Sequence, residues 1–316
     1  MRSRWFPALA VMLIAVSSAC WFHARRAAEV QARTAAVEAV AVAAQHQVPA
    51  RAEGTTIRAV SFNILQAGNK EHPWGERRDS AIDCLRDMDP DVFGVQEALW
   101  GQLQDLMDGM PGYTCVGRGR DDGHTGGEFM GLFYRTNRFV FKKGGVFWLS
   151  ETPDVPGSRS WNAACVRCAS VAILIDRTDG TSIGICDTHL DHISAEAREK
   201  GAQLIRKRLA THGADLAWII TGDFNSTPGS APYRAMVAPE GGSLRLTDTF
   251  AAVHPDAPKD VSSIHGYRGS PGKTRIDFIF CTPEFKPLAA GINQNQYRGM
   301  YPTDHFPVWA DLKRGK

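Results

Sequence analysis

From Ile57 to Leu312 the chain alternates short apolar runs with stretches of helical period, punctuated by polar turns. Ile57–Ile64 reads as a strand, and Asp91–Gln96 as a short buried one. Between them Glu76–Met88 sets Ala81, Ile82, Leu85 and Met88 on one helical face, and Asp89-Pro90 ends that helix. Leu99–Met107 is a second predicted helix. Strands follow at Tyr113–Val116, Glu128–Tyr134, Phe139–Trp148 and Val166–Asp176. Thr178-Asp179-Gly180 is a tight turn, so Val166–Asp176 should pair antiparallel with Ser182–Thr188. A long helix is predicted over Ser194–Thr211, a strand over Trp218–Thr221 and a short helix over Ala231–Val237. Lys273–Cys281 and Pro307–Leu312 complete the strands. Hairpins mixed with helix-linked strands predict α plus β architecture with mixed sheets, in one domain from residue 54 to 316.

The first 53 residues follow another pattern. Arg2 and Arg4 precede an apolar run from Trp5 to Trp21, and Arg25 and Arg26 follow it. Residues 1–26 therefore read as a signal peptide or membrane anchor, and 27–53, rich in Ala, as a tether. This predicts an exported protein: periplasmic, membrane-anchored or secreted. The leader also distorts the charge. The whole chain is +2, but from residue 54 onward 30 basic residues face 31 acidic ones. A processive nucleic-acid binder needs a basic footprint, because phosphate neutralisation supplies most of its affinity. A local patch is still available from Arg118, Arg120, Arg135, Arg159 and Arg167. Cys165-Val166-Arg167-Cys168 has metal-ligand spacing but no second pair, so zinc is disfavoured and the cysteines read as small buried hydrophobes.

The chemistry gathers at strand ends. Glu97 closes an apolar strand, where an ionised carboxylate is costly unless paired or metal-bound. Asn63 closes the first strand. Together they offer hard oxygen ligands for Mg2+ or Mn2+. Asp223 and Asn225 stand two apart, so an extended backbone would point both the same way. Asp223 can orient or deprotonate a water, and Asn225 can donate to a phosphate oxygen. His189 ends its strand and can donate to phosphoryl or leaving oxygens. Asp277 sits inside an apolar strand and needs a partner; His305, in Thr303-Asp304-His305, can supply one. Asp304 would complete the metal or water site. Arg159, Trp161 and Asn162 read as substrate-loop residues, the Trp offering a stacking face. Whether Asp223 or His305 takes the water proton stays open.

Asn63, Glu97, His189, Thr221-Gly222-Asp223-Phe224-Asn225, Asp277 and Thr303-Asp304-His305 together resemble the ordered signature of the endonuclease/exonuclease/phosphatase superfamily. Deoxyribonuclease I, deadenylases, sphingomyelinases and inositol polyphosphate 5-phosphatases are members. The resemblance spans about Ile57 to Leu312. The segment Phe147–Cys165 is similar to a bacterial branch near the deadenylase-like members, whereas Gly-Asp-Phe-Asn-Ser departs from the 5-phosphatase pattern. The resemblance implies two packed sheets with helices outside, a four-layer sandwich with its site at one rim. It implies a His305–Asp277 pair, and Glu128 as an acidic partner for His189. The expected activity is Mg2+-dependent phosphodiester hydrolysis, nucleic acid among the candidate substrates, by a monomer. Phosphomonoesters or phospholipids are the alternative substrates, and a catalytically dead binding module is the reading outside enzymes.

Overall fold

The computed structural model describes residues 48–212, 216–237, 244–258, 261–269, 272 and 274–315. The expected leader (1–26), the tether up to residue 47, Cys20 and Lys273 lie outside the described residues. In chain order the elements are β1 Ile57–Asn63, α1 Trp74–Met88, β2 Val92–Ala98, α2 Trp100–Gly109, β3 Tyr113–Val116, β4 Phe129–Arg135, β5 Phe139–Trp148, β6 Cys168–Asp176, β7 Ser182–His189, α3 Ala195–Ala210, β8 Ala217–Asp223, α4 Ala231–Val237, β9 Thr247–Asp248, α5 Thr249–Val253, β10 Asp277–Cys281, β11 Phe285–Ile292 and β12 Val308–Arg314.

Two six-stranded sheets result, ordered β11-β12-β1-β2-β4-β3 and β5-β6-β7-β8-β10-β9. Each is antiparallel except for one parallel pair, β1 with β2 and β7 with β8. A parallel neighbour requires a crossover, and α1 and α3 provide the two. The sheets pack face to face: Ala59, Val92 and Leu132 of the first join Leu174, Ile185 and Ile219 of the second in one buried cluster. Outside, α1 and α2 lay Ala81, Leu85, Leu103 and Leu106 on Phe62, Phe93 and Val95. On the other flank α3 and α4 lay Ala202, Ile205, Leu209 and Met236 on Val171, Trp218 and Ile220. This is the expected four-layer sandwich. Strands β1 and β8 are buried on both faces, which is why they read as apolar runs rather than alternating ones.

Local chemistry sets the ends. Asp89 adopts a left-handed φ of 47° and returns its N–H to Leu85, stopping α1 before Pro90. Ser194 caps α3 by accepting from the Ala197 N–H. The turn at Gly180, with φ 74°, delivers the antiparallel β6–β7 hairpin.

Three features differ from expectation. Strand β11 was not foreseen, because Pro287 sits in it; the strand tolerates Pro as an edge with a register shift at 287–289. Strand β10 starts at Asp277 rather than before it, since the Ser263 hydroxyl takes the Ile276 and Asp277 N–H groups. The end of the supposed tether is part of the domain. Val48 packs on the α1–α2 cluster, Arg51 pairs with Asp91 at 2.5 Å, and Ala52 N–H donates to Asp311. Among the described residues no helix is long and apolar enough to cross a membrane.

Candidate active site

The two parallel pairs end at one rim. Asn63 and Glu97 close β1 and β2; His189 and Asp223 close β7 and β8. Asp277 opens β10 directly opposite Asp223, and His305 lies just before β12. Seven of the expected residues gather in one cluster drawn from both sheets: hydrogen bonds link Glu97, Asn63, Asp223, Asn225 and His189, and the His305–Asp277 pair meets them through His305 Nε2, 3.9 Å from Asp223 Oδ2.

On the first sheet, Asn63 is buried and its amide nitrogen lies 3.1 Å from Glu97 Oε1 and 3.1 Å from Asp223 Oδ2. Its carbonyl oxygen accepts from Leu65 N–H. Glu97 sits where β2 loses register with β4, at φ 64°. A non-glycine residue pays to be there, and the bulge turns its carboxylate toward Asn63. Glu97 Oε2 accepts from Gln66 N–H at 3.3 Å. Two carboxylates thus converge on one amide nitrogen. Two crowded carboxylates suit a divalent cation, and Asn63 could join them as a ligand only with its carbonyl oxygen, not its N–H groups, turned toward them. Behind them the Arg77 guanidinium binds the carbonyls of Ile64, Leu65 and His72, holding the loop after Asn63.

On the second sheet, Asp223 Oδ1 accepts from Asn225 N–H at 2.8 Å. This is an Asx turn, with Asn225 at φ 45°, so the extended arrangement expected for the pair is not formed. The turn still brings the Asn225 amide to 3.0 Å from His189 Nε2. His189 Nε2 is 3.4 Å from Asp223 Oδ2. With the Asn225 NH2 facing it, Nε2 accepts and Nδ1 keeps the proton; Nδ1 is buried with no protein partner. Burial first, then the nearby Arg167 and Arg120, hold His189 well below the usual imidazole range, so it is neutral. Burial and then the facing Asp277 charge push the Asp223 carboxyl up.

His305 Nδ1 lies 2.9 Å from Asp277 Oδ2, and Ser263 donates to the same oxygen at 2.6 Å. Burial alone would lower the His305 pKa, but Asp277, through charge and hydrogen bond, outweighs it; with Asp223 and Asp304 adding charge, the value rises to about 10. Ligand atoms of Asp223, Asp277 and His305 all lie within 4.8 Å of one another, a second arrangement that could hold an ion. An imidazolium is a poor ligand, so the cation seat is better placed at Glu97 and Asn63.

The remaining expectations fare differently. Glu128 does not reach His189: its Oε2 pairs with Arg120 Nη1 at 2.5 Å, because a guanidinium is the stronger partner for a half-buried carboxylate. The Asp304 carboxylate accepts from Thr303 and makes no hydrogen bond to Asn63 or Glu97 among the described residues. Trp161 and Asn162 occupy a turn at φ 57° and 56°, and the Trp161 carbonyl accepts from Ser194. Arg159 folds onto Ala164 of its own loop. Among the described residues no hydrogen bond or ion pair ties these three to the His189–Asp223 cluster.

Sequence reasoning missed Ser263, which has no motif around it. It named Arg120 and Arg167 only as surface candidates. Arg167 is buried, and its Nε and Nη1 have no hydrogen-bond partner; its Nη2 is 3.0 Å from His192 Nδ1. Its place in an otherwise apolar strand entry was the available signal. Arg167 Nε lies 3.9 Å from Asp191 Oδ2 and Arg120 pairs with Glu128, so the positive charge beside neutral His189 is partly balanced.

Comparison with known proteins gives the family and the fold. Residues 60–305 match the model of the Endonuclease/Exonuclease/phosphatase family. A solved family protein of Bacteroides thetaiotaomicron is 33% identical with a TM-score of 0.76, covering 82% of this chain and 98% of that one. A mannosyl-6-phosphatase of the same organism is 32% identical, TM-score 0.74, over 81% and 99% of the two chains. The human Nocturnin catalytic domain, with a bound sulfate anion, is 19% identical with a TM-score of 0.67 over 84% and 97%, a likeness of fold alone.

Proposed function

The chain belongs to the endonuclease/exonuclease/phosphatase family and is a hydrolase of phosphate esters; from that premise we propose that it works by divalent-cation-assisted, in-line attack of water on phosphorus. The observation that carries this reading is the single assembly of Asn63, Glu97, His189, Asp223, Asn225, Asp277 and His305 at the meeting of two sheets. A cation held by Glu97 and Asn63, Mg2+ or Mn2+, would supply Lewis-acid polarisation of a phosphoryl oxygen. Asp223, with its pKa raised by burial and Asp277, accepts the proton of the attacking water. The His305 imidazolium and the Asn225 amide, once turned from His189 and the Leu190 carbonyl, donate to the phosphoryl oxygens as charge builds, with the Arg167 charge close behind. To donate to a phosphoryl or leaving oxygen, neutral His189 would carry its proton on Nε2, the nitrogen that faces Asn225 and Asp223, with the Asn225 amide turned away from it. No covalent intermediate is required.

The diester reading drawn from sequence competes with a monoester reading, and one observation favours the second. The 32% identical relative is a mannosyl-6-phosphatase. A seat lined by buried guanidiniums and an imidazolium also suits a dianionic terminal phosphate. A metal screen decides: the chain with Mg2+, Mn2+ or EDTA, against p-nitrophenyl phosphate, bis-p-nitrophenyl phosphate, single- and double-stranded DNA, RNA and sphingomyelin. Turnover of the monoester with Mg2+ and its loss in EDTA supports the reading. Preference for a diester reverses the substrate assignment, and full turnover in EDTA removes the cation. Export is proposed separately from residues 1–26, and cell fractionation tests it.

A further inference from the structure

One layer below the catalytic side chains, between the sheets, lies a second polar layer. Side chains two apart on a strand share a face, so Ser61 stands behind Asn63 on β1, Asp187 behind His189 on β7 and Thr221 behind Asp223 on β8. All three are buried. Strand pairing sets Asp187 beside Thr221 and Ser61 beside Gly94. From β2, the buried Gln96 reaches into this layer: its Nε2 donates to Asp187 Oδ1 at 2.6 Å and lies 3.2 Å from Ser61 Oγ. Thr221 Oγ1 donates to the same Asp187 oxygen at 2.7 Å. Gln96 and Ser61 belong to the first sheet, Asp187 and Thr221 to the second, so the Gln96–Asp187 bond crosses the sandwich. Gly94 makes the room: a Cβ there would fall 2.2 Å from both Asp187 Oδ1 and Thr221 Oγ1.

This layer is not built for stability. Gln96 Oε1, Asp187 Oδ2 and Ser170 Oγ, on the strand paired to Asp187, are buried with no hydrogen-bond partner among the described residues. Each such atom costs free energy, and well-packed apolar side chains would serve folding as well or better. Burial holds the Asp187 carboxyl far above the usual carboxylate range, so it is a neutral acid and adds no charge to the site. What the layer supplies is geometry. The Gln96 side chain points between the sheets, so regular alternation would send Glu97 to the other face; its left-handed φ of 64° turns it to Asn63 instead. Gln96 anchors the strand at the point where that turn is made. The catalytic layer has its own cross-sheet bond, from Asn63 Nδ2 to Asp223 Oδ2 at 3.1 Å. That bond is lost when the Asn63 carbonyl turns toward a cation. The Gln96–Asp187 bond involves no ligand atom and no reacting atom, so it holds the two sheets together in both states.

We propose that the Gln96–Asp187 bond is a cross-sheet clamp that sets the distance from Glu97 to the His189–Asp223 pair, which makes Gln96 a positioning residue for the cation. The inference rests on the cation seat at Glu97 argued above.

Three measurements on the full-length chain test it: Mn2+ affinity from the electron paramagnetic resonance of the free ion, kcat and KM at saturating Mn2+, and melting temperature without metal. The substrate is whichever of p-nitrophenyl phosphate and bis-p-nitrophenyl phosphate the wild type turns over. Gln96→Met keeps the length and removes the bond. It should weaken Mn2+ binding and lower kcat by about tenfold each, as for residues that hold a metal ligand, with KM changed less than about twofold and no fall in melting temperature. Asp187→Leu should do the same to binding and kcat. Asp187→Asn keeps the accepting oxygen, and Thr221→Val breaks a bond within the second sheet only, so both should stay within about threefold of the wild type. Wild-type affinity and kcat in Gln96→Met overturn the clamp. So does an Asp187→Asn loss equal to that of Asp187→Leu, or a Thr221→Val loss equal to that of Gln96→Met. If Gln96→Met does not fold, Asp187→Leu breaks the same bond from the other sheet and decides. A wild type that binds no Mn2+ refutes the cation seat instead. The clamp then stands or falls on kcat, which Gln96→Met must still lower and Thr221→Val must spare.

Discussion

The two parallel strand pairs are built alike and used differently. β1–α1–β2 and β7–α3–β8 each place a pair of functional side chains at neighbouring strand ends. In the first unit the chemistry is oxygen donors, and Glu97 is partly open to solvent. In the second, His189 and Asp223 are buried, and burial pushes their pKa values in opposite directions. The difference follows from what each task needs. A hard cation arrives hydrated and keeps some of its waters, so its seat must face solvent. Proton acceptance gains from a low dielectric that raises a carboxyl pKa toward the working pH, as burial does at Asp223. On the proposed mechanism, one topological device thus yields a ligand pair that Glu97 opens to water and a buried acid–base pair at the same rim.

The comparison can be broken most directly at Asp223. Asp223→Asn keeps the shape but removes the proton acceptor, and kcat should fall by roughly 10³–10⁴, at the upper end of what a general base contributes. Added Mn2+ should not restore it. Glu97→Ala should cost somewhat less, about 10²–10³ in kcat/KM at low metal, and part of the loss should return as Mg2+ is raised. Steady-state kinetics over a metal titration separates the two. If Asp223→Asn is rescued by metal and Glu97→Ala is not, the division of labour between the units is the reverse of that drawn here.

A third variant sharpens the acid–base side. His305 is protonated below about 10 because Asp277 holds it so, despite burial; Asp223, Asp304, His265 and His189 also face it. A raised pKa means that the charged form is complete at neutral pH and is lost as pH rises through about 10. In Asp277→Asn the main charge is gone, burial dominates, and the alkaline limb of the pH–rate profile should move down toward or below the ordinary imidazole value of ~6.5. At pH 8 the loss should be about 10²–10³, as for one electrostatic donor. The double variant with His305→Ala should be far from additive, because both changes remove one unit. An alkaline limb that does not move would make Asp277 purely structural.

Much of this was legible from residue pattern. Strands β1, β2, β7 and β8 are largely apolar and carry polar groups, Asn63, Gln96-Glu97, Asp187–His189 and Asp223, at the end that opens on the rim, as strands buried on both faces and opening there should. What was hidden depends on backbone that leaves the regular path. Glu97 and Asn225 reach the site through left-handed conformations that no spacing rule anticipates. Glu128 was assigned to His189 by family position, but Arg120, eight residues earlier, competes for it and wins. Ser263 and Arg167 carry no motif, and their parts emerge only when the loop before β10 and the entry to β6 are folded against the catalytic strands.

The smallest expected effect concerns the end of the sandwich opposite the site. There Arg58 and Asp311 form a buried pair at 2.6 Å across β1 and β12. The residues expected to be the last of a tether cover it: Arg51 reaches Asp91 and Asp89, Ala52 N–H donates to Asp311, and the Pro49 carbonyl accepts from Arg58. A chain beginning at Val48 should fold and turn over like the full-length protein. One beginning at Gly54 loses those contacts, yet Asp91 keeps Arg138 at 3.1 Å and Asp311 keeps Arg58, so no charge is stranded. The cost should be about 1–2 kcal/mol, that of a few partly exposed hydrogen bonds. Melting temperature should then fall by about 2–8 °C for a domain of this size. Because these contacts touch the starts of β1 and β2 and not their ends, kcat should stay within twofold. Thermal melts and kinetics on the two truncations measure both numbers. A large drop in kcat with little change in melting would mean that the first parallel pair transmits strain along its length to Asn63 and Glu97, and the two ends of the sandwich could no longer be treated as independent.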